Sequence, residues 1–531
     1  MFKLIYRKFG NRIQAKDDVL SGLTVALALV PEAVAFAIIA GVPPLVGLYG
    51  AFMVCLITAI AGGRPGMISG ATGALAVIMV SLVLLGEERG VAMGLGEGMG
   101  LQYLFVTLLL MGVIQISFGT LRLGRFVRLI PQPVMFGFVN GLAIVIFEAQ
   151  FPMFTTNPIV ADSAWLSGSS LFMMGGLVLL TMFIIQYLPR LTTQVPSSLV
   201  AIVVVSGIVI FGNVNTLSVG DMSSIKGALP SFGIPRVPLT LDTVIFVAPF
   251  AITLAAVGLI ESLMTLTLID ELTETRGKSN RECVGQGLAN IVNGFFGGMG
   301  GCAMIGQSII NVRSGGRGRL SGIAAAVFLV CFILYASDLI ESIPLAALTG
   351  VMFMVVIGTF EWSSLRILGK IPLADAFVIV FVSAVTVITH NLALAVISGV
   401  VISALVFAWQ SAKHIHRDSE TRPDGVKVYY LHGPLFFGST TDFTHEFSPA
   451  TDPDDVIIDF KDSRVWDHSG LEAIQKLAVR YRAEKKTLHL QHISANCRVL
   501  LRKAGSMVDI VILPDDPTYQ VANLGGPSEE A

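Results

Sequence analysis

The chain has 531 residues, of which 53% are apolar and only 14% charged, and its mean hydropathy is +0.75. Soluble domains run nearer a quarter charged, so this composition excludes an ordinary soluble domain and points to a membrane protein. A net charge of −2 gives no footprint for nucleic acid, and five cysteines (Cys55, Cys283, Cys302, Cys331, Cys497) without paired or CxxC spacing suggest neither a disulfide framework nor a zinc site.

The N-terminus is basic and then apolar, as in a secretory leader. Its apolar run continues through Pro31 and Glu32 to Ala40, however, and reads as a first membrane span. About 20 mainly apolar residues cross the hydrocarbon core. By that length, spans are predicted near 18–40, 44–62, 70–86, 101–119, 127–148, 170–188 and 197–213. A second set follows near 244–270, 282–297, 302–313, 319–336, 344–358, 372–389 and 391–410. Two of these fourteen, 70–86 and 302–313, are short. The last pair is divided only by His390-Asn391, which leaves thirteen as the alternative count.

Basic residues stay on the cytoplasmic side of a membrane protein. With the N-terminus inside and fourteen spans, the inside segments carry 18 Lys and Arg, whereas the outside segments carry three, Arg89, Lys226 and Arg236. Removing one internal span would collapse that alternation. Both ends of this multi-pass inner-membrane protein are therefore expected in the cytoplasm.

Polarity changes near residue 411. Residues 1–410 form the membrane domain, and "QSAKHIHRDSETRPDG" supplies a charged linker over 411–425. Strand-like runs ("VKVYYL", "DVIIDF", "TLHLQHI") then alternate with helical ones ("GLEAIQKLAVRYRAEKK", "NCRVLLRKAG"), predicting a small α/β domain over 426–517. Residues 518–531 read as a loose tail.

Two halves of seven spans must insert in opposite directions, the inverted repeat common in secondary transporters, whose sites lie at mid-membrane where broken helices meet. Glu32 precedes Gly73 by 41 residues, and Glu261 precedes Cys302 by 41, linking a carboxylate in the first span of each half to the start of its short third span. A helix that begins inside the membrane leaves its first N–H groups unpaired, and these amides with the positive end of the helix dipole attract anions. Two such starts, at Thr72-Gly73-Ala74 and at Met304-Ile305-Gly306, would hold an anion without Lys or Arg. Tight helix packing at small residues is the plainer explanation for any one of the glycines.

"GVPPLVGLYGAF", "FVRLIPQPVMFGFVNGLAI" and "VGQGLANIVNGFFGG…NVRSGGRGRLSG" resemble the SulP anion transporters, and "DDVIIDFKDSRVWDHSGLEAI" resembles the STAS domain attached to them. The resemblance implies an α-helical polytopic fold of 14 spans in a 7+7 inverted repeat, a core domain moving against a gate domain, a homodimer and no enzyme activity. Family members carry sulfate, bicarbonate, chloride or dicarboxylates, by symport or exchange, and no resident cofactor is implied.

Glu32 and Glu261 are the carboxylates deepest in predicted spans. Such a charge at the bilayer centre costs at least about 2.5–3.5 kcal/mol and usually faces a cavity. With no His inside a span, proton coupling would fall to a carboxylate, and the resemblance points to Glu32; a carboxylate tied down as helix-packing glue is the alternative. Glu261 and Thr265 share a helix face. Sodium-coupled bicarbonate members use an acid and a Thr at this spacing, with main-chain groups corresponding here to Ala303 and Ile305. Sodium and proton coupling both stay open, because Glu is longer than the Asp of those relatives. Thr72 matches a substrate-contacting Thr, and Gln307 stands where many members have Arg. A neutral Gln cannot offset a dianion, which favours bicarbonate; a sulfate or dicarboxylate proton symporter or exchanger, or a passive anion channel, is the alternative.

Glu148 and Asp270 lie near span ends and are expected to meet water. "RGKS" (276–279) lacks the earlier glycine and the strand of a phosphate loop. "HIH" and "HLQH" lack Cys or acidic partners for a metal. Ser469 and Glu472 form an S-x-x-E capping box, and the resemblance makes Ser469 a candidate for phosphorylation as well.

Overall fold

Among the described residues, each of the fourteen predicted apolar segments contains a helix. The computed structural model describes residues 12–124, 131–156, 158, 163–192, 196–222, 225, 229–238, 240–367, 369–493 and 511–512. The chain divides into two compact units, 1–400 and 401–531.

The first half of the membrane unit runs α1 (Arg12–Ile39), α2 (Pro44–Ala61), β1 (Ser69–Ala71), α3 (Gly73–Ala92), α4 (Met99–Thr120), α5 (Gln132–Glu148), α6 (Ser169–Leu191) and α7 (Ser197–Phe211). The second half repeats the order: α8 (Leu241–Thr273), α9 (Ser279–Phe295), β2 (Gly301–Ala303), α10 (Ile305–Arg313), α11 (Arg319–Tyr335), α12 (Leu345–Thr359), α13 (Leu373–Thr389) and α14 (Leu392–Ala412). Among the described residues, eight helices are long and apolar enough to cross a membrane. The helices α7, α11 and α13 are shorter and apolar.

Local chemistry sets the helix starts. Pro131, Pro196, Pro344 and Pro372 stand at the N-caps of α5, α7, α12 and α13, and Pro44 opens α2, where a fixed φ helps and no N–H is needed. Inside the first helix of each half lies one proline, Pro31 in α1 and Pro249 in α8. Each deprives a carbonyl one turn earlier, on Leu27 and on Ile245, of its helical donor. Packing of α4 on α9 depends on Gly112 and Gly287, where a Cβ on either would strike the other's carbonyl oxygen.

The third position of each half differs from the rest. Both α3 and α10 are preceded by a three-residue strand, and the strands pair antiparallel with Ser69 opposite Ala303 and Ala71 opposite Gly301. This ribbon is held from α9 by a row of buried polar side chains. Asn290 donates to the Gly301 carbonyl at 3.1 Å and to Gln115 at 3.0 Å, and accepts from Gly301 N–H at 3.0 Å. Gln286 donates to Ser69 Oγ and to Glu282, which itself accepts from Gly63 N–H. Asn293 donates to the Met299 carbonyl. At a spacing of four, four and three residues, these groups form one helix face.

Asp270 departs from the expectation of a water-facing carboxylate. It pairs with Arg64 at 2.9 Å and accepts from Gly277 N–H at 2.8 Å, so the glycine of "RGKS" is already engaged.

In the second unit a five-stranded sheet has the order β3 (His416–Thr421), β4 (Lys427–Leu435), β5 (Asp455–Val465), β6 (Thr487–Gln491) and β7 (Val511–Ile512). β3 pairs antiparallel with β4, and the other neighbours are parallel. Part of the segment read as a linker is thus an edge strand. α15 (Thr440–His445) and α16 (His468–Ala483) complete the unit, and Leu471, Ile474, Leu477 and Tyr481 of α16 bury against the sheet core. The capping box is corrected: Asp467 caps α16 by accepting from Gly470 N–H at 2.9 Å, and Glu472 pairs instead with Lys476. Ser469 sits half-buried in the first turn of α16 without serving as the cap. The run 496–505 and the tail 518–531 lie outside the described residues.

Candidate functional site

Helix geometry leaves the first three amides of α3 and α10 without acceptors in their own helix. The first intrahelical bonds run from Ala76 N–H to the Thr72 carbonyl and from Ser308 N–H to the Met304 carbonyl. Neither Thr72 nor Met304 caps its helix with a side chain. Both starts line one cavity of about 670 Å³, bounded also by α1, α5, α8, α12 and Glu361 beyond it.

The sequence-predicted residues Glu32, Thr72, Gly73, Ala74, Glu261, Met304, Ile305, Gly306 and Gln307 all line this cavity. Gly73 has no room for a side chain, since a Cβ would meet Ile146 and Phe36 at 2.8 Å. Gly306 faces open space instead, with nothing within 4 Å of where a Cβ would stand. Thr265 and Ala303 lie behind the wall. Thr265 donates its hydroxyl proton to the Glu261 carbonyl at 2.8 Å, and Ala303 N–H donates to Ser262 Oγ at 3.1 Å.

Each deep carboxylate has a named partner. Gln307 Nε2 donates to Glu32 Oε2 across 275 residues of sequence. Cys302 Sγ–H donates to Glu261 Oε2 at 3.0 Å, and the same sulfur lies 3.2 Å from Thr72 Oγ1. The chain Thr72–Cys302–Glu261 therefore ties the start of α3 to the middle of α8. Sequence reasoning used Cys302 only as a spacing marker.

Sequence reasoning also missed Glu361, whose main-chain N–H donates to Asn140 and whose carboxylate accepts from Ser363. Its signal was a carboxylate just past an apolar run. The polar face of α9 was legible as "ECVGQGLANIVN", yet no ligand chemistry marked it as the support of the ribbon.

The electrostatics of the cavity set fixed acids against helix dipoles. Among its described lining residues the cavity has three carboxyl groups, Glu32, Glu261 and Glu361, and no Lys, Arg or His. Positive potential comes from two helix starts, each equivalent to about half a unit charge. An ionised carboxylate 4 Å from an anion opposes it by roughly 4 kcal/mol at an effective dielectric constant near 20.

Comparison with known proteins follows the same division. Residues 16–382 match the sulfate permease family and residues 420–519 the STAS domain. The chain is 44% identical over 502 residues to a Bacillus subtilis protein named "Putative sulfate transporter YbaR", covering 94% of this chain and 99% of that one. It is 30% identical over 477 residues to the bicarbonate transporter BicA of Picosynechococcus sp., covering 84% and 82%. The overall structure of SLC26A9 has a similar fold, with a TM-score of 0.75 at 17% identity over 94% of this chain and 88% of that one.

Proposed function

The chain belongs to the sulfate permease family, a family of anion transporters, with a STAS domain after its membrane unit, and on that premise we propose that it carries a small oxyanion together with protons, sulfate foremost. The observation that supports this reading is a cavity with two uncapped helix starts, three carboxyl groups and no described cation. Ionised carboxylates would repel the anion, so the occupied site is one in which they have taken up protons. A dianion is then offset by co-transported protons rather than by a fixed Arg, which removes the objection that Gln307 raised against sulfate. The name of the relative at 44% identity points the same way.

Within this reading Glu32 is the proton-coupling group, and the starts of α3 and α10 hold the anion. Proton coupling is preferred to sodium at Glu261, Thr265, Ala303 and Ile305, since the Glu261 carboxylate is engaged by Cys302. The two helix starts move as a core past α5 and α12 as a gate, in a homodimer. The N-terminus and STAS domain face the cytoplasm, in keeping with the Lys and Arg distribution. Bicarbonate is the second reading, favoured by the neutrality of Gln307 and the resemblance to BicA.

Uptake into proteoliposomes tests both. Labelled sulfate, bicarbonate and fumarate are supplied with and without inward proton and sodium gradients. Sulfate accumulation driven by protons and indifferent to sodium is expected. Concentration of bicarbonate alone selects the second reading; a sodium requirement, or flux without accumulation, overturns proton symport.

A further inference from the structure

We propose that the carboxamide of Gln307 is the coupling element, turning a proton on Glu32 into hydrogen-bond donors for the anion; this deepens the proton-coupled reading and rests on it. Gln307 is the third residue of α10, 6% exposed, and its Nε2 donates to Glu32 Oε2. An ionised carboxylate can only accept, so it commands the amide's N–H₂ group. The amide oxygen is then turned away from Glu32, an acceptor in a site meant for an anion.

Protonation reverses the arrangement. A neutral Glu32 carries one O–H that needs an acceptor, and Gln307 Oε1 is the acceptor within reach once the amide turns about its last torsion, a two-fold rotor. That half-turn frees two N–H donors. Beside them lie the unpaired amides of residues 305–307 and the open space at Gly306. Proton and anion thus favour each other without any cation, and the coupling is reciprocal.

The surroundings of Glu32 leave this exchange unopposed. Of the elements packed against α1, the strand β1 and the helices α7 and α12 carry no titratable side chain. On α2 stand Tyr49 and Cys55, the thiol donating to the Gly322 carbonyl. Glu87, Glu88 and Arg89 lie near the far end of α3, and Arg313 is the last residue of α10. On α11, Arg319 is spent on the carbonyls of Ala59, Ile60 and Gly62, and Cys331 and Tyr335 lie in its last turns. Across the cavity are Glu261, bonded to Cys302, and Glu361, bonded to Ser363.

The test is equilibrium binding of labelled sulfate to the purified full-length protein between pH 5.5 and 8.5. In the wild type the apparent Kd should fall as pH falls. Gln307→Met, of similar volume but without amide atoms, should bind roughly tenfold more weakly at the acid end, the worth of about one net hydrogen bond, and its Kd should vary with pH less steeply than the wild type's, the remaining slope being direct repulsion by the carboxylates. Glu32→Gln always offers both a donor and an acceptor, so it should match the wild type at the acid end and bind more tightly than the wild type at the alkaline end, where only Glu261 and Glu361 still oppose the anion. Because this second variant predicts tighter binding at alkaline pH, misfolding cannot imitate it. A wild-type pH profile in Gln307→Met, or alkaline-limb weakness at all pH values in Glu32→Gln, overturns the coupling role. A wild-type Kd indifferent to pH instead overturns the proton-coupled reading beneath it.

Discussion

Asp452 in the second unit and Glu32 in the membrane unit are both buried carboxylates, and their surroundings differ in kind. Asp452 accepts from Lys427 Nζ at 2.7 Å, from the Tyr429 hydroxyl at 2.7 and 2.8 Å, and from the Tyr481 hydroxyl. Burial alone would raise its pKa, but the bonds from Lys427, Tyr481 and Tyr429 outweigh it and hold the carboxyl below the usual 3.8. Tyr481 is pushed up, by burial first and by Asp452 next, and so remains a donor. Glu32 has one neutral amide beside a cavity. Burial by itself separates neither case. What separates them is how fully the charge is answered: Lys427, Tyr429 and Tyr481 hold Asp452 ionised until the medium is acid, whereas a single amide faces Glu32, which on the proposed reading changes its protonation state.

Converting each carboxylate to its amide is the strongest way to break this contrast. Asp452→Asn strips the charge facing Lys427 and should cost the second unit about 3 kcal/mol, which for a domain of this size lowers its melting by roughly 10 °C or more. Glu32→Gln should shift melting of the full chain by only a few degrees while abolishing proton-driven uptake. Equal destabilisation by the two would erase the distinction. The acid limb sharpens it further. Since the folded pKa of Asp452 lies below its unfolded value, its stabilisation is complete above about pH 4 and is lost as pH falls through the folded value. Asp452→Asn should flatten that limb in acid-unfolding curves.

Smaller effects follow from neutral groups. Asn290→Leu strands the N–H and carbonyl of Gly301 in a buried place and should cost about 2–3 kcal/mol, with transport lost in protein that still inserts. Asp467→Ala removes the cap of α16 and should cost about 1 kcal/mol in thermal melts. Ser469→Ala should change stability by no more than a few tenths, and a larger loss would restore the capping box that Asp467 displaced.

Much of the membrane fold could be read from the chain, because apolar run length and Lys/Arg placement respond to bilayer thickness and topology. The two interrupted segments were visible as glycine and small residues at the head of short spans. β1 and β2 were not, since three residues show no periodicity. Glu32 and Gln307 are 275 positions apart, and no local rule joins them. β3 was hidden for another reason: its residues are almost all exposed, so an edge strand of "HRDSET" carries no alternation to distinguish it from a solvated linker.

The ribbon between Ser69–Ala71 and Gly301–Ala303 has a consequence for how the protein is made. Its two edges leave the ribosome more than 200 residues apart, a delay of roughly 10–50 s at ordinary elongation rates. Throughout that interval the earlier edge sits in the nascent chain with its peptide groups unanswered, in a setting where hydrocarbon cannot answer them. Biogenesis must therefore shelter the first half, in the insertion machinery or at the aqueous interface, until the second arrives. Assembly of the cavity between the two helix starts becomes a late event, timed by translation itself.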